Sequence, residues 1–149
     1  MRFLSISIFL SFALISMISH AEISIEDKKK FGFYFPPVKV NSKEEFDYIN
    51  RLLIILSAQE SINALPNGKE TDTQKTLRIR NICNSIGISY AMSDFLELNH
   101  KFQTKEEISR NNNRSLGRDA RLEKLGLSAD KCRMFSDYIK NNPAKFIGS

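Results

Sequence analysis

The sequence predicts an all-α fold, a small bundle of about four to five helices with one disulfide and an extended N-terminal arm. Three observations lead there. From residue 42 onward, apolar side chains recur at three- and four-residue spacing, capping residues stand ahead of several of these runs, and Cys83 and Cys132 each fall within one.

The N-terminus decides the compartment, and with it the chemistry of the cysteines. Arg2 precedes an uncharged run over 3–18 rich in Phe, Leu, Ile and Ser, and Ser19-His20-Ala21 follows. That is the charged, apolar and small-residue order of a secretory signal, so residues 1–21 are expected to be a signal peptide cleaved before Glu22. The competing reading is a retained anchor, but the run is short for a bilayer span and a processing site follows it directly. No cysteine sits at the cut, which argues against a lipoprotein. Leu52 to Leu56 is the best later span candidate and is far too short. The expected location is the periplasm, with full secretion as the alternative.

In an oxidising compartment a cysteine pair reads as a disulfide, so Cys83 and Cys132 are expected to be bonded. Closing a loop of that length removes about 4 kcal/mol of unfolded-chain entropy in the simplest model, an upper figure. Loss of Arg2 lowers the formal charge from +5 to +4. Such a charge suits an acidic protein partner or an anionic envelope surface, and nucleic acid is not expected as the target of a protein that leaves the cytoplasm. The mature chain divides into an arm over 22–40 and one helical domain over 41–149, without internal repeats.

In the arm, Lys28-Lys29-Lys30 leads into Phe31-Gly32-Phe33-Tyr34-Phe35-Pro36-Pro37. An extended segment places Phe31, Phe33 and Phe35 on one side, either packed on the helical body or offered to a partner. The first long helix opens at Ser42-Lys43-Glu44-Glu45, a capping-box pattern, and carries Phe46, Ile49, Leu52, Leu53, Leu56 and Ile62 to about Ala64. Leu65-Pro66-Asn67-Gly68 stops it. A central helix starts near Thr71 or Asp72, with Leu77, Ile79, Ile82, Ile86 and Tyr90 as its stripe and Cys83 on the edge. Phe95, Leu96 and Leu98 extend its apolar content, and Gly87 marks a close helix contact.

Thr104-Lys105-Glu106-Glu107 opens a further helix, expected to be short because Asn111-Asn112-Asn113-Arg114-Ser115 has poor helix propensity. A polar excursion follows, then a second short helix over 118–125 stopped by Gly126. The last helix begins at Ser128 or Asp130, aligns Cys132, Phe135 and Ile139, and ends before Pro143.

Four groupings bear on chemistry. Arg110, Arg114, Arg118 and Arg121 form an anion-binding stripe if their region is one continuous helix, and a solvated charged face if Asn111 to Asn113 and Gly117 interrupt it. Glu106 and Glu107 with Asp119 could serve as paired carboxylates for glycoside hydrolysis, although capping accounts for Glu107. His100 is the one histidine left after cleavage and lacks a nucleophile motif such as Gly-x-Ser-x-Gly. One histidine and two committed cysteines leave no metal-ligand pattern. Neither an enzyme nor a cofactor is expected.

The order of signal peptide, central helix with Arg80-Asn81-Ile82-Cys83 and then Tyr90-Ala91, polar loop, and last helix with Lys131-Cys132-Arg133-Met134-Phe135 resembles the periplasmic immunity proteins of the Tai/Rap type. These are small helical inhibitors of peptidoglycan amidases delivered by type VI secretion. The resemblance implies a homodimer that occludes the amidase active site with a loop between helices. The matching positions are Arg110, Asn111, Asn112, Asn113, Arg114 and Arg118, whose side chains could hydrogen-bond a Cys-His cleft. The Phe-rich segment from Phe31 to Pro37 lies outside the family pattern and is the second candidate surface. The expected function is therefore that of an exported immunity protein against a peptidoglycan-targeting toxin. The alternative is a non-enzymatic envelope accessory or secreted host-interaction protein, with a peptidoglycan hydrolase third.

Overall fold

The computed structural model describes residues 23–66 and 68–146, and the expected signal peptide lies outside them. Five α-helices follow in order among the described residues: α1 Ile25–Lys30, α2 Lys43–Asn63, α3 Asp72–Leu98, α4 Lys105–Leu125 and α5 Ala129–Asn141. The fold is all-α, and the disulfide between Cys83 and Cys132 ties α3 to α5 across a separation of 49 residues.

α3 is the axis of the bundle. Residues 82–92 are buried without interruption because α2, α4, α5 and the arm all pack on this one helix. The core consequently has two halves. Ile82, Ile86 and Tyr90 meet Phe31, Tyr34 and the disulfide, while Ile88, Met92 and Phe95 meet Phe46 and Leu53 of α2. The single stripe expected from Leu77 to Tyr90 describes only the first half, and Leu77 and Ile79 are only half-buried.

The caps explain where the helices start. Thr71 and Thr104 form full capping boxes with Gln74 and Glu107. Ser42 also caps its helix, accepting from the Glu45 amide at 3.1 Å, but Glu45 reaches back to the Asn41 amide at 2.9 Å rather than to Ser42. Ser128 caps α5.

The arm is not extended from its beginning. Ser24 caps α1, Glu26 and Asp27 lie in its first turn, and Lys28 to Lys30 complement the dipole at its end. Gly32, at φ 102°, then breaks the expected alternation. Phe31 enters the core at 2% exposure, Tyr34 follows it inward, and Phe33 and Phe35 stack on each other at the surface, 44% and 47% exposed.

Polar contacts stitch the arm to α3. The Lys28 ammonium donates to both Asp94 carboxylate oxygens at 2.8 and 3.0 Å, and the Tyr34 hydroxyl donates to Asp94 at 2.8 Å. Burial, together with the Asp94 charge, pushes the Tyr34 hydroxyl up to about 12. Buried Asn99 accepts from the Val40 amide and donates to the Val38 and Phe95 carbonyls, each at 2.9 Å. The close approach at Gly87 is to the arm and not to a helix: a Cβ there would stand 3.1 to 3.3 Å from the Phe33 backbone.

The expected polar loop between two short helices is instead one helix. Asn111, Asn112, Asn113, Ser115 and Gly117 each cost about 0.5–1 kcal/mol relative to alanine, which is why a break was expected. Tertiary contacts and both ends offset that cost. Leu122 packs on the core, and Ser93 of α3 donates to Asn111 at 3.3 Å and lies 3.4 Å from Ser115. Gly126, in the left-handed conformation, closes the C-terminus with paired bonds from its own amide to Glu123 and from Leu127 to Leu122.

Candidate functional site

A continuous α4 puts Arg110, Arg114, Arg118 and Arg121 on one face, the face turned toward α2 and α3. Their partners differ along the row. Arg110 pairs with Glu106 one turn back at the exposed end. Arg118 is mostly buried, with its guanidinium 3.8 Å above the Tyr90 ring and its Nε donating to Asp119 at 2.9 Å. Arg121 makes a long contact of 3.4 Å to the Ser85 hydroxyl.

Arg114 has no carboxylate partner among the described residues. Burial, and then the neighbouring Arg110 charge, pull its guanidinium below the usual arginine range. Both effects express the same fact, a half-buried cation without a counter-charge.

Arg114, Arg118 and Arg121 line a half-open cleft of about 160 Å³ between α2, α3 and α4. Ser57 and Ser61 of α2 and Ser85 and Ser89 of α3 face them, and among the described residues no carboxylate lines the space. Two polar atoms of these lining residues are buried without a hydrogen-bond partner among the described residues: the Ser89 hydroxyl and Nη1 of Arg118. A neighbouring cavity of about 230 Å³ shares Arg114 and is mixed in charge, with Asp47 and Glu107 opposite Arg51 and Arg110.

Of the positions matched to the inhibitory loop, the structure brings Arg114 and Arg118 together in the cleft and sets Arg110 beside it. Asn111 turns to Ser93, and Asn112 and Asn113 face solvent. The four serines were missed by sequence reading. Their signal is the four-residue spacing within two apolar helices, Ser57 with Ser61 and Ser85 with Ser89, which aligns each pair on one helix face.

α2 has a second feature. Leu52, Leu56 and Ile62, expected in its buried stripe, stand at the surface with Tyr48 and Ile55. Tyr48, Leu52, Ile55 and Ile62 follow helical spacing, so they form an exposed apolar band opposite the buried Phe46 and Leu53.

The groups weighed for catalysis are otherwise engaged. Glu107 completes the α4 cap, Glu106 holds Arg110, and Asp119 holds Arg118. Exposed His100 approaches the Glu97 carbonyl at 3.3 Å. Among the described residues no cluster of His, Cys, Asp or Glu is placed to hold a metal ion, and no helix is long and apolar enough to cross a membrane.

Fold and site together define a disulfide-clamped, all-α domain with a cationic cleft on the inner side of α2 and an apolar band on its outer side. No protein-family model, curated protein or solved structure matches the chain.

Proposed function

We propose that this chain is an exported, non-catalytic binding protein whose partner is a peptidoglycan-targeting amidase toxin, which it inhibits. The observation that carries the binding reading is the exposed band of Tyr48, Leu52, Ile55 and Ile62 on α2. Exposed Arg51, one turn from both Tyr48 and Ile55 on the same helix, borders it, so an apolar contact with an acidic group at its edge suits this face. The toxin as partner rests on the resemblance of the Cys83 and Cys132 segments to amidase immunity proteins. Occlusion by a flexible loop is not part of this reading, because the matched segment is helix α4.

The test is peptidoglycan turnover by the amidase encoded beside this chain's gene, with the protein from Glu22 onward added in increasing amounts. Turnover should fall to nothing at stoichiometric protein. The double variant Leu52→Asp, Ile55→Asp should weaken inhibition about 100-fold with unchanged circular dichroism. Full turnover at saturating protein sinks the inhibitor reading and leaves the envelope accessory role. A dimer in sedimentation that the same double variant dissociates would assign the α2 face to a second copy.

A further inference from the structure

The geometry points to a second site, independent of the α2 face: the cleft between α2, α3 and α4 binds a phosphoryl group. Three features of its lining select that chemistry. Among the described residues, Arg114, Arg118 and Arg121 place three guanidinium groups around a space that no carboxylate lines, and only Arg118 of the three has an acidic partner, on its Nε side. The charge therefore demands an anion, and a doubly charged one matches it better than a single carboxylate.

Unpaired atoms beside the cleft give it further donors once their side chains turn toward the space. Ser89 is 6% exposed and lines the cleft with Arg118, and among the described residues neither the Ser89 hydroxyl nor Nη1 of Arg118 has a hydrogen-bond partner. A buried hydroxyl and a buried guanidinium nitrogen left open cost free energy unless something accepts from them. An oxyanion offers acceptors to both. The Arg121 contact to Ser85 is long enough to exchange for a better acceptor, and Arg114 has nothing to give up.

Size and shape agree. A tetrahedral group has oxygens for the α4 guanidiniums on one wall and for the Ser85 and Ser89 hydroxyls on the other. The volume of about 160 Å³ accommodates it with part of its carrier. The half-open mouth admits either free phosphate or the headgroup of a phospholipid, and the recognising chemistry is the same for both.

Inorganic phosphate is titrated into isotopically labelled protein at constant ionic strength, with sodium chloride as the reference salt. Amide shifts should move at Ser85, Ser89 and the 114–121 stretch of α4, saturate with phosphate and stay still with chloride. Arg114→Gln should weaken binding about 10-fold and Ser89→Ala about 3-fold, and Lys145→Gln should leave it unchanged. Arg118→Ala also removes the contact with Tyr90, so Arg114→Gln combined with Arg121→Gln is the decisive variant, with folding read from the same spectra. Vesicles of phosphatidylglycerol separate the sources. Retention that phosphate displaces and the double variant loses places the phosphoryl group on a lipid, and phosphate binding without retention places it on a soluble molecule. Shifts scattered over the surface, reproduced by chloride, or undiminished in the double variant overturn the site.

Discussion

Where the arm meets α3, Lys28, Asp94 and Tyr34 satisfy one another, and Asn99 satisfies the backbone of Val38 and Val40. Elsewhere on α3, Ser85, Ser89, Arg114 and Arg118 surround a cleft with two polar atoms unmet. Both regions carry buried charge, yet only the first neutralises it internally. A protein gains stability from the first arrangement and sacrifices some for the second, so the second is where a ligand is expected.

Substitutions should reveal that asymmetry. Asp94→Ala leaves the Lys28 ammonium buried and unpaired, and should destabilise by about 3–5 kcal/mol in denaturant unfolding. A change under about 1 kcal/mol would mean that the arm side is no better tied than the cleft side. Replacing Cys83 and Cys132 together with serine should cost up to about 4 kcal/mol, read as a fall in the unfolding midpoint.

Gly117 lies within α4 with open space where a Cβ would stand, so Gly117→Ala should stabilise by about 1 kcal/mol. Destabilisation instead would restore the break in α4 that its composition suggests. Arg114→Gln should change stability by less than about 0.5 kcal/mol in phosphate-free buffer, since it removes a cation that has no partner.

The arm also has a pH signature. The Tyr34 hydroxyl is raised from 10.0 to about 12 in the folded state, so its contribution is complete below pH 10 and is lost as pH rises through about 12. Stability measured across that window should fall more steeply for the native chain than for Tyr34→Phe. Equal slopes would remove the Tyr34–Asp94 contact from the seam.

The extents of α2, α3 and α5 and the cysteine pairing were legible because capping residues and cysteines are local signals. Ser42, Thr71 and Ser128 cap the helices, and Cys132 and Ile139 share the buried face of α5. α4 was misread because propensity is a local quantity, while Leu122 and Arg118 hold the helix through contacts with residues far back in the chain. α2 was half legible, since apolar spacing identifies a helix but not which side is covered. The cleft was the least legible. The arginine row was visible as a conditional face, but nothing local said that four serines on two other helices would meet it.

The seam at Gly87 has a temporal meaning as well. Tyr34 reaches its partner Asp94 across 60 positions, and Phe33 needs the bare backbone of α3 already formed beneath it. Closing so long a loop is entropically slow and is rewarded only once the central helix exists. The arm comes before α3 in the chain and is fixed only after it, leaving Phe31 and its neighbours uncovered in the meantime. Under the proposed export, that interval is when a holdase would have the most to grip.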